Sequence, residues 1–129
     1  MWHSKETLSG HSVLIVEDEA VSRRALSALL ILSGHDTQAV RTAEEALDLV
    51  SSGNVPEFAL VDLDLPGMNG MDLIHRLKRD HPDVIPVLIT ATSRERIERL
   101  TGDQDVQYMR KPIDLRLLLD LLDRGGREN

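Results

Sequence analysis

Short apolar runs alternate with amphipathic stretches along this chain. The runs are rich in Val, Ile and Leu and are bounded by turn residues, which is typical of buried β-strands. Five strands are predicted, at residues 12–16, 35–40, 58–62, 86–90 and 106–109. Apolar residues at helical spacing predict five helices, at residues 20–33, 43–53, 70–80, 94–100 and 115–122. This alternation predicts an α/β fold, a doubly wound parallel sheet with right-handed crossover helices on both faces.

Several helices have recognisable start and stop signals. Thr42 and Glu45 have the spacing of a capping box, in which the hydroxyl and the carboxylate each satisfy a free backbone amide. Asp114 is the expected N-cap of the last helix, and Pro82 ends the third helix. The first helix is predicted from the helical spacing of four apolar residues, Val21, Ala25, Leu29 and Leu32.

Composition limits the possible classes of protein. A length of 129 residues suits one domain, with 12–123 as its body, 1–11 as a flexible lead-in and 124–129 as a tail or the start of a linker. The absence of cysteine excludes a disulfide framework and favours a cytoplasmic location. A formal net charge of −7 argues against direct binding of nucleic acid, and no apolar run is long enough to cross a membrane.

Polar side chains follow four of the predicted strands at the point where each strand ends. They are Glu17 and Asp18 after the first strand, Asp62 at the end of the third, Thr90 at the end of the fourth and Lys111 after the fifth. Because the carboxyl ends of parallel strands meet at one edge of a sheet, we expect these side chains to face one crevice. Three carboxylates so close would repel one another, and Mg²⁺ bound through oxygen would relieve the repulsion. A carboxylate nucleophile, a metal, a hydroxyl and a lysine together indicate phosphoryl transfer through an aspartyl phosphate.

The segments that carry these residues resemble those of the receiver domain of two-component response regulators, a family that includes chemotaxis regulators. The resemblance covers residues 12–123, and it depends on VLIVEDE at 13–19, VDLDLPGMNG at 61–70, PVLITA at 86–91 and YMRKP at 108–112. As a set these segments are highly specific. The resemblance implies a flavodoxin-like three-layer sandwich, and a signalling phosphoacceptor that assists its own phosphorylation and dephosphorylation without being an enzyme.

The resemblance also implies how the acidic residues act. Asp62 would accept a phosphoryl group from a phosphohistidine on a sensor histidine kinase or a histidine phosphotransfer protein. Asp18 and Asp62 would ligate Mg²⁺ directly, with the backbone carbonyl of Asp64 as a further ligand. Glu17 would act mainly through a metal-bound water.

Three further residues would respond to the phosphoryl group, according to the same resemblance. Lys111 would pair with the phosphoryl oxygens, and Thr90 would hydrogen-bond one of them. Tyr108 matches the aromatic position whose side chain turns inward when that threonine moves. The surface formed by the fourth helix, the fifth strand and the fifth helix would thereby change.

That surface has a candidate interface on the last helix. A helical projection places a stripe against the sheet that consists of Leu115, Leu118, Leu119 and Leu122. Leu117 and Leu121 fall off this stripe, beside a fourth helix with alternating charges at 94–99. We therefore expect Leu117 and Leu121 to face water or a partner, and phosphorylation to promote homodimerisation or partner docking there.

Three departures from the family pattern bear on these expectations. Glu17 stands where an aspartate is more usual, although its longer arm could still reach a metal-bound water. The segment 101–105 lacks the usual Gly-Ala turn, which weakens the prediction of the fourth helix and of the switch surface. Ile113 stands where a phenylalanine often follows Lys-Pro.

Two other classes of protein share part of the pattern. Asp62 and Asp64 imitate the Asp-x-Asp motif of haloacid-dehalogenase-type phosphatases, which also form an aspartyl phosphate. In that family the acidic metal pair follows the nucleophile and a Thr or Val follows the second aspartate, whereas here the pair comes first and Leu65 follows. The other class is a degenerate receiver that serves only as a docking module, and the filled chemical positions argue against it.

Overall fold

The computed structural model describes residues 10–102 and 104–125, and within them five parallel strands form one sheet flanked by five helices. The strands are β1 (Ser12–Val16), β2 (Asp36–Val40), β3 (Phe58–Asp62), β4 (Ile85–Thr90) and β5 (Gln107–Arg110). The helices are α1 (Ala20–Leu32), α2 (Ala43–Ser51), α3 (Gly70–Asp80), α4 (Arg94–Thr101) and α5 (Leu115–Asp123). The strand order β2-β1-β3-β4-β5 confirms the predicted doubly wound fold.

The predicted element boundaries agree with the observed ones to within one or two residues. Residues 1–9 of the predicted lead-in, residues 126–129 of the predicted tail and residue 103 lie outside the described residues. In the part of the chain that the structure describes, no helix has the length and apolar character needed to cross a membrane.

The predicted caps of α2 and α5 are present. The Thr42 hydroxyl oxygen accepts a hydrogen bond from the Glu45 amide at 3.1 Å. Asp114 Oδ1 accepts from the amides of Arg116 and Leu117 at 3.0 and 3.3 Å. The other half of the capping box differs from the prediction, because the Glu45 carboxylate accepts from the Thr42 hydroxyl at 3.3 Å and not from its amide.

The core lies on both faces of the sheet. Side chains alternate along each strand, so each strand contributes to both faces. One face packs against α2 and α3 in a first cluster whose larger buried members include Leu14, Val61, Leu88, Ile74 and Leu77. The other face packs against α1 and α5 in a second cluster that includes Ile15, Leu60, Ile89, Leu30 and Leu118. The result is the predicted three-layer arrangement.

The apolar spacing that predicts α1 is confirmed as a helix, but these apolar residues do not mark its buried face. Leu30 is the fully buried residue of this helix, whereas Val21 is 73% exposed and Leu32 83% exposed. Leu29, another of the residues at helical spacing, is 42% exposed. The reason is that α1 is apolar on several sides, so helical periodicity alone does not decide which side meets the sheet.

The stripe predicted for α5 is largely correct. Leu118 and Leu122 are fully buried, and Leu119 packs against the second cluster. Leu117 is 57% exposed, as predicted. Leu121, however, is half-buried and packs against the same cluster, so the prediction that it faces outward is wrong. It lies three residues after Leu118 and therefore reaches the margin of the buried face.

The fourth helix is present despite the unusual sequence that follows it. Ser93 caps α4 by accepting a hydrogen bond from the Arg96 amide at 3.2 Å, and Ile97 is buried beneath it. The helix ends at Gly102, whose φ of 56° is in the left-handed region that favours glycine. The departure at 101–105 therefore does not remove this helix.

Candidate functional site

The predicted site residues lie at the carboxyl edge of the sheet. Asp62 closes β3, Glu17 follows β1, Thr90 closes β4 and Lys111 follows β5. β3 is the central strand, between β1 and β4. The Lys111 amide donates to the Thr90 carbonyl oxygen at 2.8 Å, so strand pairing extends to the residue that carries the lysine. The parallel topology thus brings residues distant in sequence to one edge, as predicted.

One lysine bridges two buried carboxylates at this edge. Lys111 Nζ lies 2.8 Å from Glu17 Oε1 and 3.4 Å from Asp62 Oδ2. Glu17 and Asp62 are each 6% exposed, whereas 30% of the Lys111 side chain is exposed. The ammonium group is therefore shared between two acidic groups that have little contact with water.

The ionisation of these groups follows from their crowding. Burial, followed by the neighbouring Glu17 carboxylate, raises the pKa of Asp62 to about 6, although the Asp64 amide and Lys111 oppose the shift. Burial also opposes ionisation of Glu17, but the hydrogen bond from Lys111 is among the contacts that hold its pKa below the usual value. Burial opposes the charge on Lys111 too, yet the two carboxylates raise the pKa of the ammonium. With both carboxylates ionised, the site has one negative charge in excess.

Asp18 is in a different environment from the other acidic site residues. Its side chain is exposed, on the turn between β1 and α1. The next residue, Glu19, is the N-cap of α1 and accepts from the amides of Val21 and Ser22. Across the ranges 10–102 and 104–125, no three acidic, histidine or cysteine side chains form a ready metal cluster. The predicted convergence of three carboxylates is thus limited to Glu17 and Asp62.

The donor set nevertheless fits Mg²⁺. The buried carboxylates of Glu17 and Asp62 are hard oxygen donors, and Lys111 neutralises only one of their two charges. Mg²⁺ needs few protein carboxylates, because it keeps several water ligands. A divalent cation would compensate the excess charge that raises the pKa of Asp62.

The loop after β3 holds Asp62 in place. The Asp64 amide donates to Asp62 Oδ1 at 3.1 Å, and the Gly70 amide donates to the Leu63 carbonyl oxygen at 3.0 Å. A Cβ atom at Gly70 would collide with the Asp62 carbonyl oxygen, so α3 can begin this close to β3 only with glycine at that position. No sequence pattern signals this contact, because Asn-Gly is equally typical of an ordinary turn.

Thr90 and Tyr108 lie on neighbouring strands near the acidic pair. Thr90 is fully buried, and its hydroxyl oxygen accepts from the Thr92 amide at 3.0 Å. Tyr108 is half-buried and packs against the first core cluster. Thr92 is held in turn by Arg110, whose Nε donates to the Thr92 carbonyl oxygen at 3.1 Å. The hydroxyl of Thr90 is therefore tied to the β4–α4 loop.

A largely apolar groove opens beside the acidic pair. It lies between α1 and α5 and has a volume of about 530 Å³. Its walls include Ala25, Leu29, Ile113 and Leu115, and Asp62 also lines it. The exposed α1 residues Ala25 and Leu29 thus border a groove that Asp62 also lines.

Comparison with known proteins identifies relatives across nearly the whole chain. A sequence model of the family described as response regulator receiver domain matches residues 13–123. The response regulator FleR of Pseudomonas aeruginosa is 36% identical over 115 residues, which cover 87% of this chain and 24% of that protein. The two-component response regulator PhoP of the same organism is 39% identical over 102 residues, covering 78% of this chain and 44% of that protein. This chain therefore spans less than half the length of either relative.

Solved structures also resemble this chain. The signal receiver domain of a signal transduction histidine kinase from Syntrophus aciditrophicus has a TM-score of 0.80 and 25% sequence identity, and the match covers 90% of this chain and 89% of that one. The response regulator TrrA of Thermotoga maritima, in complex with Mg²⁺ and BeF, has a TM-score of 0.77 and 25% identity, over 88% of this chain and 97% of that one.

The fold and the site define a doubly wound α/β domain with a carboxylate centre at the edge of its sheet. The chain belongs to the response regulator receiver domain family, the receivers of two-component signalling systems. Phosphorylation and Mg²⁺ binding are general to this family. The relatives support this assignment over the phosphatase alternative, and they indicate the family as a whole without singling out the chemotaxis regulators.

Proposed function

We propose that this chain is a cytoplasmic phosphoacceptor and that Asp62 receives the phosphoryl group. The donor would be a phosphohistidine on a sensor histidine kinase or a histidine phosphotransfer protein. One observation carries the proposal: the Asp62 carboxylate is buried at the end of the central strand, 3.4 Å from the Lys111 ammonium, with an excess of negative charge around it. This role is that of a signalling protein whose substrate is its own side chain.

In the proposed step, an oxygen of Asp62 bonds to phosphorus as the bond between phosphorus and the imidazole nitrogen breaks. The electron pair of the broken bond returns to the imidazole. Asp62 has to be ionised to attack, which its raised pKa opposes and a nearby cation favours. Lys111 would pair with the phosphoryl oxygens, while the Asp64 amide orients the carboxylate.

The same proposal assigns the Mg²⁺ ligands. Asp18, Asp62 and the backbone carbonyl of Asp64 would hold the ion, with Glu17 acting through a bound water. The bound ion would supply positive charge to the oxygens of the transferring group. Glu17 contacts Lys111 at 2.8 Å, so it would also keep the lysine at the site before phosphorylation.

Acetyl phosphate and Mg²⁺ test the acceptor. Intact-mass measurement of the full chain should show one added phosphoryl group in wild type and none in Asp62→Asn. Asp64→Asn is the matched control, because it removes an exposed aspartate two residues away and keeps the amide that contacts Asp62. Equal incorporation in wild type and Asp62→Asn would refute the proposal.

We further propose that Thr90 and Tyr108 transmit the phosphorylated state. If the Thr90 hydroxyl turns to a phosphoryl oxygen, it releases the Thr92 amide, and the β4–α4 loop can move. The half-buried Tyr108 could then turn inward. Amide chemical shifts with and without beryllofluoride should change in β5 and α4 of wild type and change much less in Thr90→Ala. Equal responses in the two proteins would exclude Thr90 as the coupling residue.

The proposed partner surface is the α4–β5–α5 face. Leu117 and Leu100, on α5 and α4, are 57% and 39% exposed. Leu121 has less surface available to a partner than predicted, because its side chain packs against the core. Sedimentation should show a dimer with beryllofluoride that Leu117→Glu weakens and Leu32→Glu, an equally drastic change on exposed α1, does not. A wild type that stays monomeric in both states would exclude the homodimer.

A further inference from the structure

Arg23 reaches back from α1 to the turn that carries the acidic pair. Its Nη1 donates to the backbone carbonyl oxygen of Glu17 at 3.1 Å and to that of Asp18 at 3.2 Å. Its own amide donates to the Glu19 carbonyl oxygen at 2.9 Å, in the first turn of the helix. The side chain is half-buried. One guanidinium nitrogen therefore ties two consecutive carbonyl groups of this turn to α1.

The conformation of the backbone in this turn sets the direction of the Asp18 side chain. The Glu17 side chain is held at both oxygens, by Lys111 at 2.8 Å and by the Glu19 amide at 3.2 Å. The Asp18 side chain is exposed, so its position relative to Asp62 depends on the conformation of the peptide units on either side of it. Those units carry the carbonyl groups that Arg23 binds.

We propose that Arg23 is a positioning residue for the metal site, which orients the Glu17–Asp18 turn so that its carboxylates can meet a divalent cation. This inference rests on the proposed function, because it assumes that Asp18 and Asp62 bind Mg²⁺. Arg23 binds carbonyl oxygens and so leaves the carboxylates of the turn available to the metal. A guanidinium paired with the Asp18 carboxylate would instead compete with the metal.

The positive charge of Arg23 and its positioning of the turn would change the affinity for Mg²⁺ in opposite directions, which makes the inference testable. The positive charge of Arg23 repels Mg²⁺, so removing it would strengthen metal binding if charge were its only contribution. If Arg23 positions the turn, removing it weakens metal binding. Arg24 is the matched control, because it is the next residue, carries the same charge, is exposed and makes no hydrogen bond to this turn among the described contacts.

The experiment is a calorimetric titration of the full chain with Mg²⁺. We expect the Kd of Arg23→Ala to rise about tenfold, as is common when a residue that orients a metal ligand is lost. We expect Arg24→Ala to bind as tightly as wild type or up to about twofold more tightly, as loss of a screened surface charge predicts. Arg23→Lys should lie between wild type and Arg23→Ala, since a lysine keeps the charge and loses the planar geometry.

A second measurement does not depend on metal. In the metal-free state, the amide signals of residues 17–19 should shift in Arg23→Ala and stay in place in Arg24→Ala. Arg23→Gln keeps an amide donor, and it replaces the alanine variant if that variant does not fold. Equal Mg²⁺ affinity of the Arg23 and Arg24 variants would overturn the inference and leave the proposed function intact. A wild type without Mg²⁺ affinity would overturn the proposed function itself.

Discussion

At the amino edge of the sheet a buried histidine is hydrogen-bonded within a half-buried polar cluster, whereas at the carboxyl edge two buried carboxylates share one lysine. His11 and His35 lie at the amino edge, before β1 and β2. The His11 amide donates to His35 Nδ1 at 3.0 Å, and His11 Nδ1 lies 2.8 Å from Glu57 Oε2. The two imidazole rings stack with centroids 5.7 Å apart, and Phe58 meets His11 edge to face.

The two edges respond to pH in opposite directions. Asp62 has a pKa of about 6, above the ordinary value of 3.8, so it favours the folded state below pH 3.8, and this contribution is lost as pH rises through 6. Burial first, and then the nearby His11, lower the pKa of His35, while Asp123 and Glu57 oppose this. His35 therefore stabilises the fold fully above pH 6.5, and this contribution is lost as pH falls below that value.

The difference distinguishes structural polar groups from functional ones. At the amino edge the hydrogen bonds join neighbouring strands, and the one acidic group, Glu57, lies against the His11 imidazole. At the carboxyl edge the strands would be more stable without so much charge, and under the proposed function the excess is met by the cation and the phosphoryl group that bind there. Removal of the Asp62 carboxylate at the carboxyl edge should accordingly raise stability, whereas removal of the His35 imidazole at the amino edge should lower it.

The largest change is expected when the shared lysine is removed. Lys111→Met leaves two buried carboxylates without a cation and should lower the free energy of unfolding by about 2–3 kcal/mol, a value reduced for the partial exposure of the lysine. Urea denaturation at pH 7.5 measures it. The control is Lys78→Met, since Lys78 donates to the Asp105 carbonyl oxygen at the surface, and its loss should change the free energy of unfolding by less than about 0.5 kcal/mol.

Removal of a carboxylate at the same edge should raise the free energy of unfolding, in contrast to removal of the lysine. Asp62→Asn should raise the free energy of unfolding by about 2 kcal/mol at pH 7.5 without metal, because it removes a carboxylate whose ionisation the fold opposes. The gain over wild type should shrink below pH 6 and vanish near pH 4, and Asp64→Asn should show none of it. Glu17 is unchanged in both proteins, so the difference isolates Asp62. If Asp62→Asn is less stable than wild type at neutral pH, the carboxyl edge is not under electrostatic strain.

The smallest effect is expected at the amino edge. His35→Gln should lower stability by about 1 kcal/mol at pH 7.5, because the buried acceptor of the His11 amide is imperfectly replaced. The difference in stability between wild type and His35→Gln should also shrink as pH falls from 6.5 towards 5.5, because the wild-type imidazole then loses its contribution. Thermal melts across that range measure it, with His75→Gln, on the exposed surface of α3, as the control. An unchanged slope would show that His35 does not titrate with unfolding.

Much of the fold and of the site was predictable, because burial leaves a strong pattern in the sequence. Phe58–Asp62 is an apolar run that stops at a carboxylate, and both its strand and its edge position follow from that pattern. Lys111 and Asp62 meet because parallel topology aligns the ends of strands distant in sequence. These predictions need only the order of the elements.

Other features depend on geometry that no sequence pattern reports. The buried face of α1 could not be predicted, because Leu30 and Leu29 are chemically alike and only the packing on the sheet separates them. Arg23 was missed because its long side chain binds backbone carbonyls, which leave no residue signature. The contact of His11 with His35 depends on the pairing of β1 with β2.

The most direct test of the central claim is to locate the phosphoryl group chemically. Borohydride reduces an acyl phosphate on aspartate to homoserine, which peptide mass spectrometry assigns to a single position. After reaction of the full chain with acetyl phosphate and Mg²⁺, we predict homoserine at position 62 and at no other aspartate. Homoserine at position 18 or 64, or none in a chain that has gained phosphate, would contradict the assignment of Asp62 as the acceptor.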